Sequence, residues 1–129
     1  MTIDNIRVTQ QARDQLITLK RRTGIGQWNV LCRWALCRSL AEPATPPNVK
    51  LVFDSNVEMT WRTFAGDQGE IYWGLLRMRA HRDGLELDEE TLAQQFRLHL
   101  HRGIGYLVGD ASLKDLTALA RMGDSGQLA

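Results

Sequence analysis

The sequence predicts a mainly α-helical protein with short β-strands, an α+β chain in which a strand-helix-helix N-terminal unit packs with a helical second half. Three observations point there. Apolar residues recur at helical spacing in five segments, whereas strict apolar–polar alternation is confined to short runs. All three prolines fall between Pro43 and Pro47, where fixed φ and missing N–H groups let neither helix nor central strand continue. With 129 residues, 43% of them hydrophobic, the chain suits one domain with a core that needs no disulfide or metal. The expected organisation is a single domain over 1–129, with a basic strand-helix-helix unit at 1–42, a second strand-helix-helix half at 48–122 and a frayed tail at 123–129.

In the first unit, Ile6 and Val8 alternate with Asn5, Arg7 and Thr9, the period of a strand with one apolar face. Thr9 is placed to cap a helix running to about Arg22, whose apolar side carries Ala12, Leu16, Leu19 and Thr23. The run Thr23-Gly24-Ile25-Gly26 ends it, because glycine can take the left-handed conformation after a helix C-terminus. A second helix is expected from Gln27 to about Leu40, its stripe made by Trp28, Leu31, Cys32, Ala35 and Leu36, with Arg33 and Arg38 turned away.

In the second half, Asn48–Phe53 and Val57–Phe64 read as two strands joined at Asp54-Ser55-Asn56. A helix over Gly69–His81 is expected to turn Ile71, Tyr72, Leu75, Leu76 and Met78 inward, and Asp83-Gly84 stops it. Asp88 caps the next helix, which carries Leu92, Ala93, Phe96, Leu100 and Ile104; Gly103-Ile104-Gly105 is expected to end or bend it. A last helix begins near Ser112. Both halves thus read as strand, helix, glycine turn, helix, a pattern that suggests an internal duplication without residue identity between the halves.

The net charge is only +1, but its distribution is uneven. Residues 1–41 carry seven basic side chains (Arg7, Arg13, Lys20, Arg21, Arg22, Arg33, Arg38) against Asp4 and Asp14, while the remainder is acidic on balance. A basic third joined to an acidic remainder points to a face that meets an anion. The polar N-terminus MTIDNIRVTQ excludes a secretory signal, and no long apolar window exists for a membrane span, so a cytoplasmic protein is expected.

Little favours catalysis. Cys32 and Cys37 lie five apart on one predicted helix, about 140° around its axis, so they cannot bridge there and read as buried free thiols. With three scattered histidines they make no convincing four-ligand metal site. His99 and His101 point about 200° apart on a helix and cannot share one ligand. Asp88, Glu89 and Glu90 match a helix dipole without chemistry. No glycine-rich nucleotide loop occurs. We expect no enzyme, no metal and no cofactor.

The first unit has the order of ribbon-helix-helix DNA-binding proteins. On that pattern two chains pair their strands, Ile6 and Val8 face the dimer core, and Asn5, Arg7 and Thr9 face the major groove. Gly24 and Gly26 flank a turn before a helix N-terminus, whose unpaired N–H groups and positive dipole end attract phosphate. Lys20, Arg21 and Arg22 stand just before that turn. As cations at a helix C-terminus they also satisfy its dipole.

Five longer blocks run in order through most of residues 7–107: Arg7–Leu16, Leu19–Ile25, the tryptophan-rich Gln27–Cys37, Asp54–Trp61 and Gln94–Leu107. Together they resemble the DndE family of DNA sulfur-modification proteins. The resemblance implies a non-catalytic, oligomeric DNA-binding subunit, dimer or tetramer, that works beside the other Dnd subunits and prefers nicked double-stranded DNA. Carried to this chain, it points to Lys20, Arg21 and Arg22, with Arg7, Arg33 and Arg38 behind them. The chain has only three lysines, so arginine must do most of the phosphate binding. Two alternatives stay open at this point. One is a sequence-specific ribbon-helix-helix repressor; the other is a protein scaffold without its own DNA contact.

Overall fold

The computed structural model describes residues 3–110; the helix expected from Ser112 and the C-terminal tail lie outside the described residues. The architecture is mainly α with a small two-stranded sheet, as expected. Its elements are β1 (Asn5–Arg7), α1 (Gln10–Thr23), α2 (Trp28–Leu40), β2 (Glu58–Thr60), α3 (Trp61–Ala65), a single 3-10 turn (Gly66–Gln68), α4 (Gly69–Arg82) and α5 (Glu89–Gly109).

β1 pairs antiparallel with β2 of the same chain, with Asn5 opposite Thr60, Ile6 opposite Met59 and Arg7 opposite Glu58. This corrects the expectation of a ribbon shared between two chains. The ladder is extended at both ends by Val8 N–H to Val57 O and Trp61 N–H to Asp4 O. The alternation itself holds, since Ile6 and Val8 are buried and Asn5 and Arg7 exposed, but the core they enter is their own.

Local chemistry sets the helix ends. Thr9 Oγ1 accepts the Ala12 N–H at 3.0 Å to open α1, and Asp88 Oδ2 accepts the Thr91 N–H at 3.1 Å to open α5. α1 closes at Gly24, whose φ of 77° lets its N–H reach Lys20 O at 3.0 Å. α2 packs chiefly on α5, burying Leu31, Cys32, Ala35 and Leu36 against Leu100 and Ile104. Each such fully buried leucine or isoleucine contributes about 1.5–3 kcal/mol of transfer free energy. Gly103 does not end α5. A Cβ there would stand 1.7 Å from Ala35 O, so the glycine permits the close crossing of α2 and α5, and the helix runs on to Gly109.

Three other expectations are corrected. Residues 48–53 form no strand: β1 pairs with β2 instead, and Val49 and Val52 stay exposed. The run 57–64 is a strand only at Glu58–Thr60. Thr60 Oγ1 accepts the Thr63 N–H at 3.0 Å, and helix α3 starts at once, burying Trp61, Phe64 and Ala65. In α4, Leu76 and Ala80 are buried and Tyr72 and Trp73 half-buried, while Ile71, Leu75 and Met78 face outward. The helix carries two apolar stripes, and the one with the large rings wins the core. Trp61, Phe64 and Phe96 meet there with ring centroids 5.3–5.4 Å apart, and Tyr72 and Trp73 close the cluster. Among the described residues no helix is long and apolar enough to cross a membrane.

Candidate nucleic-acid interface

The C-terminal end of α1, the Gly24–Gln27 loop and the start of α2 bring the expected basic residues and both glycines together. They differ in how far they are engaged. Arg21 is exposed, with no side-chain partner among the described residues. The Lys20 ammonium lies 3.9 Å from the centroid of the Trp28 ring, a cation–π contact joining the two helices. Arg22 donates to Val108 O at 2.8 Å and ties the end of α1 to the end of α5. Gly24 takes the left-handed cap conformation; Gly26 does not, and a Cβ at either would meet none of the described residues within 4 Å. The α2 N-terminus has no side-chain cap: Gln27 makes no capping hydrogen bond, and the first turn carries no acidic residue. A helix start with uncapped N–H groups and open space around the loop can receive an anion.

The other predicted residues are held elsewhere. Arg7 pairs with Glu58 across the ribbon and reaches Ser55 O at 3.4 Å. Arg33 donates to Phe64 O at 3.1 Å, fastening α2 to α3. Arg38 lies 3.8 Å from Glu42 and over the Tyr106 ring. These three serve the fold in this arrangement.

Sequence reasoning missed a second arginine cluster, inside the molecule. Arg79, only 5% exposed, pairs with Asp83 at 3.0 Å and donates to four carbonyls of the α2 exit and the connector: Leu40, Glu42, Pro43 and Ala44, at 2.6–3.1 Å. Arg102 adds bonds to Ser39 Oγ, Ser39 O and Ala44 O. The available signal was Asp83 four residues after Arg79, a helical ion-pair spacing. Buried His99 lies with Nδ1 2.9 Å from Ser39 Oγ, and its pKa falls to about 4, chiefly through burial and then through the Arg102 and Arg79 charges. His101 accepts the Thr9 N–H on Nε2 and donates from Nδ1 to Arg97 O; burial lowers its pKa too. Burial pushes the Cys32 thiol up to about 12 and raises Cys37 as well.

Fold and site together define a class: a small, mainly helical protein closed by an internal two-stranded ribbon, with an exposed basic helix end. Residues 5–115 match the family described as DNA sulphur modification protein DndE. The chain belongs to the DndE family. One solved structure it resembles is DndE from Escherichia coli B7A, involved in DNA phosphorothioation modification. That protein is 25% identical with a TM-score of 0.68, over 83% of this chain and 98% of that chain. A second is a DndE variant with lysines replacing two glycines, at 22% identity and TM-score 0.65 over the same shares, which supports the fold alone. No curated protein matches the chain.

Proposed function

We propose that the chain is a non-catalytic, cytoplasmic DNA-binding subunit of the phosphorothioation machinery, acting as one domain beside the other Dnd subunits. It holds double-stranded DNA, nicked duplex in preference, mainly by backbone phosphates. The observation that carries this reading is Arg21, exposed and without a side-chain partner among the described residues, in the last turn of α1, the helix that leads into the open Gly24–Gly26 loop and the uncapped start of α2. Lys20 and Arg22 add charge to the same end, and arginine forks well onto phosphate. Arg7, Arg33 and Arg38 stand behind them, each needing to leave a present partner to contribute. Both cysteines are disfavoured as thiolates at neutral pH, and both nearby histidines are committed to internal hydrogen bonds, which supports a role without bond-making chemistry.

A homo-oligomer fits the outward stripe of Ile71, Leu75 and Met78 on α4. A ribbon repressor would need β1 in a second chain's sheet, whereas β1 is paired with β2.

Binding to intact and nicked duplexes of several sequences across a salt series tests the reading, with sedimentation giving the oligomer. Lys20, Arg21 and Arg22 changed together to alanine should abolish binding. Because Lys20 and Arg22 also hold helices together, Arg21→Ala is the cleaner variant. It should weaken all sequences alike and lower the salt slope by about one. Unchanged binding in both variants would overturn the site. Preference for one sequence would indicate a repressor, and no binding at any salt a scaffold.

A further inference from the structure

An open cleft of about 690 Å³ lies between α3 and α4, with Trp61, Trp73, Gly69 and Gly74 on its walls and charged side chains at its rim. It is separate from the basic end of α1, although α2 links the two regions. Lys20 sits on Trp28 of α2, and the neighbouring Asn29 donates to Thr63 O of α3 at 3.1 Å.

Three features of this cleft bear on what it could hold. The Trp61 side chain is 8% exposed, yet its indole N–H has no acceptor among the described residues. A buried donor without a partner is costly. That donor lies against Gly69, where a Cβ would stand 2.8 Å from Nε1. Gly74 sits in the interior of α4, where glycine weakens a helix, and a Cβ there would meet nothing within 4 Å. Nothing among the described residues asks for glycine at that position; what its missing side chain leaves is room in the cleft. The half-buried Trp73 stands edge-on to Trp61, with centroids 6.2 Å apart and planes at 86°, and presents aromatic surface to the wall.

The rim carries two guanidiniums and two carboxylates. Arg62 and Asp67 are 3.8 Å apart, both more than four-fifths exposed, and so only loosely paired. Arg77 and Glu70 are exposed and form no ion pair among the described residues. Such a rim suits neither a simple anion nor a simple cation. It suits a flat ligand whose edge offers both donors and acceptors, with arginine donating to ring carbonyl or imine groups and carboxylate accepting from amino groups. Aromatic surface for stacking beside edge-reading polar groups is the pattern by which proteins hold a base taken out of its stack.

We propose that the α3–α4 cleft binds a single unstacked nucleobase, stacked on Trp73 and read at its edge by Glu70 and Arg77. The choice of a base over other planar ligands rests on the DNA-binding reading above. Purines, with the larger stacking face, bind more tightly than pyrimidines.

The test uses the full ¹⁵N-labelled chain and deoxyguanosine monophosphate, so that it does not depend on duplex binding. Saturable shifts of the Trp61 and Trp73 indole N–H resonances are expected, with no such response to deoxyribose 5-phosphate. Trp73→Ala should lose at least tenfold in affinity. Because Trp73 also packs on Trp61, Gly74→Leu serves as the second variant. It fills open space and favours the helix, and it should block the site in a protein that still melts cooperatively. Arg21→Ala should bind the mononucleotide as the native chain does. Nucleotide binding without duplex binding would sink the proposed function and leave this site standing. The site is overturned if the nucleotide gives no saturable shift, if Gly74→Leu binds unchanged, or if deoxyribose 5-phosphate acts alike. Tighter binding of N-acetyltryptophanamide than of the nucleotide would also overturn it, in favour of a protein side chain.

Discussion

Two arginine clusters in this molecule use the same side chain in opposite ways. Arg79 and Arg102 are turned onto the α2 exit and the proline-rich connector, where Leu40, Glu42, Pro43 and Ala44 present carbonyls that no helix or strand satisfies. Their five-donor forks pin a segment that cannot hydrogen-bond to itself in a regular way. At the end of α1, among the described residues, Lys20 and Arg22 each make one such contact and Arg21 makes none, so charge is left facing outward. The difference lies in what surrounds each guanidinium. Where the backbone has spare acceptors, arginine becomes structure; where the nearby backbone offers spare donors, as at the start of α2, it stays available for a ligand.

The largest effect belongs to the interior cluster. Arg79→Ala leaves Asp83 buried without its partner and the carbonyls of Leu40, Glu42 and Pro43 without a donor, while Ala44 O keeps its bond from Arg102, so it should cost about 3–5 kcal/mol, read as a drop in urea midpoint. A loss below about 1 kcal/mol would mean that water replaces the side chain and that the connector is not clamped.

The next effect is a pH dependence from the same cluster. His99 takes a proton near 6.5 in the unfolded chain but only near 4 in the folded one, because burial disfavours its charge and Arg102 and Arg79 repel it, against a smaller pull from Asp83. Between those values the unfolded state binds more protons. Stability is therefore full above about pH 6.5 and is lost as pH falls toward 4, by about 3 kcal/mol in all. His101, also depressed by burial, adds loss in the same direction. His99→Gln should flatten this part of the stability profile; an unchanged slope between pH 6.5 and 4 would show that the loss comes from other groups.

What could be read from the sequence depended on whether the deciding interaction was local. Thr9 and Asp88 cap their helices through residues three positions away, and Gly24 ends α1 through its own φ, so the pattern alone located those ends. β2 and α3 were hidden because Val57, Met59 and Trp61 continue a period of two across the point where Thr60 caps a helix. The rotation of α4 was hidden because both of its stripes are apolar, and only the distant rings of Trp61 and Phe64 choose between them. The place of Arg79 was hidden because its burial depends on carbonyls more than thirty residues earlier. The basic helix end was legible as a cluster, since Lys20–Arg22 and the glycines are neighbours in the chain. The separate fates of Lys20 and Arg22 were not, because Trp28 and Val108 lie on other helices.

The smallest effect is also the sharpest test of the exposed cluster. Gly24 and Gly26 look equivalent in the sequence, two glycines flanking Ile25, yet only Gly24 has positive φ. Gly24→Ala must strain a left-handed residue and should cost about 1–2 kcal/mol of stability. Gly26→Ala meets empty space in ordinary backbone and should change stability by less than about 0.5 kcal/mol. The free space at Gly26 therefore serves none of the described residues, and an added methyl group there reports on what arrives at the loop. Equal duplex affinity before and after Gly26→Ala would place the phosphate away from the loop and leave the exposed side chains to hold it. A several-fold loss with unchanged melting would place the phosphate against the backbone between the two helices.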